Sequence, residues 1–280
     1  MRWAGLSMVL VLGGCVERLI EGEPGAGGQS EGAEATGRGS TSEEGSEDTG
    51  VAEPPASPVE QDLIYVNSPD TLLTFDPQAR VLSPVGPFVL EDGSAASVTD
   101  IAVDRFGLLY AVSVGTLYVC DPNTVVCTPQ GSSSANSAGF AEFGALADDH
   151  DVLVLVEGSS IVHVHVREDG IETVVAGSLD GYSSSGDVIE LSGRDMLLSS
   201  PSPDGGDVLV PFDALTGAVV GQPVPMPPLS YGLARFRGEI WVFTDLGEIF
   251  VHDGAETIEV GRADVRLWGA AVHPSARWSP

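Results

Sequence analysis

The chain has 280 residues, with 41 Asp and Glu against 12 Arg and no Lys, for a formal charge of −29 at pH 7. Nucleic acids and anionic lipid headgroups are bound chiefly through cations, so this balance argues against either as a partner. Hydrophobic residues make up 42% of the chain, enough for a core, but they are unevenly spread along it.

The N-terminus carries Arg2, then the apolar stretch WAGLSMVLVL over residues 3–12, then Gly13, Gly14 and Cys15. A membrane span needs about 18 apolar residues, and Glu17 and Arg18 end this one too early. Charge, apolar stretch and small residues in that order form a secretory signal. Leu12 sits poorly at the third position before an ordinary cleavage point. With a cysteine directly after the small pair, Leu12-Gly13-Gly14-Cys15 resembles the lipobox of bacterial lipoproteins. That resemblance implies cleavage before Cys15, a diacylglyceryl group on its thiol and acylation of its new amino end. It also implies an outer-membrane address, because Val16 replaces the Asp that retains some lipoproteins at the inner membrane. One acyl chain holds a protein only marginally, whereas three anchor it stably.

After a 1–14 signal, residues 15–60 read as a tether. Residues 21–58 contain one Val, no other large aliphatic side chain and no aromatic. Such a stretch cannot bury enough apolar surface to offset its chain entropy, so disorder is expected. As a flexible coil it would reach roughly 35 Å, and like-charge repulsion would extend it further.

Residues 61–280 form the folding unit and carry 30 Asp and Glu against 9 Arg. Its sequence repeats. Leu63-Ile64-Tyr65 followed by Thr71-Leu72-Leu73-Thr74-Phe75-Asp76-Pro77 matches Leu108-Leu109-Tyr110 followed by Thr116-Leu117-Tyr118-Val119-Cys120-Asp121-Pro122, 45 residues on. The unit recurs at Glu239-Ile240-Trp241 with Glu248 to Asp253, and more weakly around residues 152–165 and 196–213. A leading strand opens each unit: Asp100 to Asp104, Gly144 to Asp148, Gly232 to Ala234. Short β-prone runs separated by Gly, Asp, Pro and Ser turns, four per unit of about 44, specify an all-β propeller. The repeats resemble the bacterial propellers with YVTN-like or quinoprotein-like blades, and lack the Gly-His and Trp-Asp dipeptides of the WD40 class. Five four-stranded blades are expected, at 61–90 with 266–274, then 98–128, 140–176, 186–222 and 230–262. The C-terminal strand completes the first blade and removes the exposed edge.

Cys120 and Cys127 flank a turn at Asp121-Pro122-Asn123-Thr124, and in an exported chain such a pair is expected as a disulfide. Asp76, Asp121, Asp213 and Asp253 follow the third strand of their blades, with His165 in the remaining one. Their expected role is to start turns by accepting backbone N–H groups two residues on. His163 and His165 alternate on a strand and share a face, expected to be solvated, with no third metal ligand evident. Asp148-Asp149-His150-Asp151 and Asp204-Gly205-Gly206-Asp207 read as hydrated turns. No metal site, cofactor or catalytic set is assigned.

The expectation is therefore a lipid-anchored, monomeric propeller in the cell envelope, acting as a non-enzymatic scaffold for an envelope protein or a glycan. The alternative is a secreted hydrolase or lyase, with Asp100, Asp104, Asp148 and Asp187 as candidate channel-mouth carboxylates. Two carboxyls within about 5 to 10 Å in the channel, one with a raised pKa, would favour the enzyme.

Overall fold

A computed structural model describes residues 59–167 and 170–277. The expected signal, the tether up to residue 58, and with it Cys15, lie outside the described residues.

Among the described residues the strands form five sheets, the blades of a propeller. Blade one comprises Ile64–Asn67, Thr71–Asp76 and Val81–Pro87. Blade two comprises Asp100–Val103, Leu109–Val112, Gly115–Cys120 and Val126–Ser133, with Val89–Leu90 added in parallel at its rim. Blade three runs Ser137–Phe140, Asp151–Glu157, Ser160–Arg167 and Gly170–Ser178. Blade four runs Val188–Ser192, Asp195–Pro201, Asp207–Asp213 and Val224–Met226. Blade five runs Ser230–Phe236, Glu239–Thr244, Glu248–His252 and Thr257–Arg262. The C-terminal strand Gly269–Val272 then pairs antiparallel with Ile64–Asn67, Ile64 opposite Val272 and Asn67 opposite Gly269. It becomes the innermost strand of blade one and closes the ring, as expected.

Burial follows the distance from the axis. Asp100–Val103, Ser137–Phe140 and Gly269–Val272 are buried at every residue, while the rim strands Val81–Pro87 and Gly170–Ser178 are largely exposed. The apolar core is divided among the blade interfaces. Ile101 and Val103 pack with Tyr65 and Leu72 between blades one and two, and Phe75 with Trp241 and Phe243 between blades five and one. The Phe75 ring lies 5.3 Å from Trp241 and 5.8 Å from Phe243, and Tyr110 lies 5.1 Å from Phe140 across blades two and three. Each such pair adds about 0.5–1.5 kcal/mol beyond its area term. The packed region includes Val59, which is buried and donates its N–H to Gly107 O at 3.0 Å.

The turn assignment holds in four blades. Asp76 Oδ1 accepts Gln78 N at 2.8 Å, Asp121 Oδ1 accepts Asn123 N at 2.7 Å, Asp213 Oδ1 accepts Leu215 N at 3.1 Å, and Asp253 Oδ1 accepts Ala255 N at 2.9 Å. Cys120 and Cys127 are directly opposed across their hairpin and joined by a disulfide.

Two expectations are corrected. The leading strand of blade three is Ser137–Phe140, and residues 144–148 are a turn. Gly144 adopts a φ of +84°, which ends any strand there. The face bearing His163 and His165 is not solvated at His163: that ring is buried, and its Nε2 lies 2.9 Å from Ala214 O of blade four. Both faces of a propeller blade are covered by neighbours, so alternation along a strand does not mark a wet side.

Candidate functional site

The innermost strands present one edge to the axis, where no further strand can take their backbone N–H groups. Asp100 and Asp187 fill that role from inside the channel. Asp100 accepts Ile101 N at 2.8 Å through Oδ1 and Ala138 N at 2.7 Å through Oδ2. Asp187 Oδ2 accepts Leu233 N at 2.6 Å and Ala270 N at 3.0 Å, and Val188 N–H adds a further interaction with the same carboxylate. Inward N–H groups from all five blades thus converge on two side chains.

Both carboxyls are fully buried, and they hydrogen-bond to each other. Asp187 Oδ1 accepts from no donor among the described residues, and two carboxyls can hydrogen-bond to each other only through a proton that one of them keeps. Burial pushes both pKa values well above the ordinary carboxylate range, and repulsion from Asp187 adds to the shift at Asp100. Gly269 is obligatory here, because a Cβ at that position would collide with Asp100 Oδ1 and lie 2.5 Å from Asn67 Oδ1.

The other end of the channel is closed by ions of opposite sign. Glu190 and Arg277 are both buried and form an ion pair, and Arg235 donates to Leu191 O. Arg277 is carried by the turn Pro274–Ala276, pinned where Arg237 N donates to Ala276 O and Gly238 N to Arg277 O, each at 2.9 Å. The space left between the two closures is about 20 Å³, room for one water molecule.

Asp100 and Asp187 therefore meet, with raised pKa values, as the hydrolase reading required. They do so fully buried, with three of their four oxygens accepting backbone N–H groups, where no substrate can reach them. Asp104 is also buried. Its Oδ1 accepts Phe106 N at 2.9 Å and Leu108 N at 2.8 Å, and burial pushes its pKa up to about 6. Asp148 stays exposed in its turn and joins neither group.

Open space lies between blades two and three. A groove of about 560 Å³ is lined by Asp104, Arg105, Phe106, Tyr110, His150 and Asp151, among others. Through Arg105 and Asp151 it continues into a hollow of about 190 Å³ beside Phe143, Glu190 and Arg277. Arg105 lies 3.8 Å from the Phe143 ring centroid and 4.6 Å from that of Phe106, and it pairs with Asp151 at 3.3 Å. Phe106 is 63% and Phe143 45% exposed, so each offers ring surface to solvent beside fixed charges. Burial raises the Asp151 pKa, opposed by Arg105. Grooves of about 530 and 670 Å³ elsewhere on the ring lack this concentration of rings and ionisable groups.

No protein-family model matches the chain, and no curated protein sequence matches it. Among solved structures, it is similar to a chain of a nidogen/laminin complex, with a TM-score of 0.46 and 9% identity over 75% of this chain and 80% of that one. It is also similar to a chain of hydrazine synthase from Kuenenia stuttgartiensis, with a TM-score of 0.40 and 11% identity over 78% and 72%. At these values neither likeness bears on ligand or chemistry.

Sequence reasoning named Asp100, Asp104 and Asp187, but not Arg105, Phe106, Phe143, Glu190 or Arg277. Glu190 could have been sought as a second charge three residues beyond Asp187 on a strand that has to be buried. Among the described residues, no three His, Cys, Asp or Glu side chains gather in a metal-binding arrangement.

Proposed function

We propose that this chain is a lipid-anchored propeller of the cell envelope that works as a non-enzymatic binding scaffold, with the groove between blades two and three as its contact surface. In this reading, signal cleavage exposes Cys15, which carries the lipid, and residues up to 58 hold the ring off the membrane. An outer-membrane address and a monomeric state belong to the same reading. The partner is an envelope protein or a glycan rather than nucleic acid, since the folding unit carries 30 Asp and Glu against 9 Arg.

The observation that carries it is the contrast between the sealed channel and the open groove. The buried carboxyls are used up in holding the ring together, whereas Phe106 and Phe143 keep apolar ring area exposed beside Arg105. Exposed aromatic area in a concave, polar-rimmed site is how proteins hold ligands.

The test is capture from an envelope extract, run beside a glycan array, with the wild-type chain and a Phe106→Ala/Phe143→Ala variant. A partner or glycan retained by the wild type and lost by the variant is expected. An extract and array that give no partner with the wild type, or capture the variant leaves unchanged, would overturn the assignment. Loss of membrane association and of acyl mass in Cys15→Ala tests the anchor separately.

A further inference from the structure

At the edge of the same groove, we infer that His150 and His165 form a binding site for a divalent transition-metal ion with a tetragonal preference, Cu(II) above all. This inference is independent of the lipid anchor and of the identity of the partner. His150 sits in the turn before Asp151–Glu157, and His165 in the adjoining strand Ser160–Arg167, opposite Val152. The hairpin brings His150 Nε2 to 2.8 Å from His165 Nδ1, with ring centroids 5.0 Å apart.

The Asp149 carboxylate fixes which nitrogen is available. His150 Nδ1 lies 2.6 Å from Asp149 Oδ1, and since a carboxylate only accepts, that nitrogen carries the proton. A metal bound to this ring would therefore take Nε2, the nitrogen that faces His165. A carboxylate behind a histidine in this way is the usual support for a metal-ligating imidazole. When a metal takes Nδ1 of His165, the proton of that ring moves to its own Nε2, so the charge of the ring is unchanged. His163 does not join, since its Nε2 is held by Ala214 O and its ring lies 6.2 Å from that of His165.

Two nitrogens bound at ~2.0 Å across a right angle, at adjacent corners of a tetragonal ion, stand ~2.8 Å apart, whereas a tetrahedral zinc site needs them ~3.3 Å apart. The present 2.8 Å is that of the hydrogen bond between the rings, and each ring has to turn by roughly 45° for both lone pairs to converge on one ion without the nitrogens moving apart. The Irving–Williams order places Cu(II) first among such ions. Water fills the positions the protein leaves open, on the side where His150 lines the groove.

The test titrates the folded full chain with Cu(II) in the presence of glycine, which suppresses non-specific uptake. One equivalent is expected, with nitrogen hyperfine structure from two imidazoles in the electron paramagnetic resonance spectrum, and with Zn(II) at least tenfold weaker. His150→Gln or His165→Gln should each weaken binding at least tenfold, while His252→Gln and His273→Gln leave it unchanged. Asp149 is exposed, so Asp149→Asn keeps the fold and should still weaken binding by roughly tenfold, because the carboxylate behind His150 Nδ1 is gone. Stoichiometric binding that survives in the His150→Gln/His165→Gln double variant, or an absence of Cu(II) uptake by the wild type, would overturn the site.

Discussion

Removing the Asp187 carboxylate should damage this ring more than its size suggests, and the two ways of removing it should behave differently with pH. In Asp187→Ala, Leu233 N and Ala270 N, now 2.6 and 3.0 Å from Oδ2, lose their acceptor at a fully buried position. A buried donor left unpaired costs about 1–3 kcal/mol, so the two together cost about 2–6 kcal/mol before any cavity effect. Against a total stability of about 5–15 kcal/mol, this should lower the Tm by roughly 5–20 °C. Asp187→Asn keeps the acceptor oxygen and offers Asp100 an N–H in place of the shared proton. Its effect lies in the pH dependence. The wild-type carboxyls have pKa values raised above 3.8 by burial, so the folded state binds protons more tightly than the unfolded chain. Stability from this source is fully present below the unfolded pKa and is lost as pH rises through the folded one. Asp187→Asn removes one of these protons, so it should gain on the wild type steadily as pH is raised. Thermal melts followed by circular dichroism from about pH 4.5 to 8.5 measure this difference, and the titrations of Asp104, Asp151 and Glu190 cancel because both proteins contain them. A Tm difference between Asp187→Asn and wild type that stays constant with pH, or an Asp187→Ala loss below about 1 kcal/mol, would refute the reasoning.

Ending the chain at Arg266 removes the closing strand together with buried Leu267, Ala270, Val272 and Ala276, a loss on the order of 5 kcal/mol or more from apolar area alone. The truncated chain should show no cooperative melt, and an unchanged Tm would disprove closure by Gly269–Val272. Replacing Cys120 and Cys127 by Ser should cost about 2–3 kcal/mol and roughly 5–10 °C, read from the same melts. Asp104→Asn keeps the oxygen that accepts Phe106 N and Leu108 N, and removes a carboxyl whose pKa burial lifts to about 6. It should be nearly neutral near pH 4 and stabilising above about pH 6, by no more than about 3 kcal/mol, in urea unfolding at the two pH values.

The repeat was legible because the forces that set it are local. Asp76, Asp121, Asp213 and Asp253 each cap a hairpin with their own neighbours, so the same residue recurs wherever the same turn does. Cys120 and Cys127 oppose each other through one hairpin register, which the Asp121-Pro122 turn fixes. The leading strand of blade three was hidden because Ser137-Ala138-Gly139-Phe140 carries a single large apolar side chain. At the axis space demands small residues, and a Cβ at Gly139 would collide with Val188 O. The Gly144-Ala145-Leu146-Ala147 run fits the apolar pattern better and is a turn. Asp100 and Asp187 stand two repeat lengths apart at the same phase, which was visible. That they meet was not, because their contact exists only once the ring has closed. His150 beside His165 depends on the register of a long hairpin that polarity alone does not set.

The C-terminal segment links the two closures of the channel. Asp187 and Glu190 lie three residues apart, just before and within the innermost strand of blade four, and both are buried acids. Ala270, in the closing strand, gives its N–H to Asp187 at one end, and Arg277, seven residues later, pairs with Glu190 at the other. A ring lacking this segment would hold two half-satisfied carboxyls facing an open channel. When residues 269–277 dock, they complete a sheet, supply one inward N–H and bring a cation to a buried anion. The edge of blade one and the acids of blade four are thus satisfied by the same event. This makes closure all-or-none, and it explains why a ring of five blades tolerates charge at its axis.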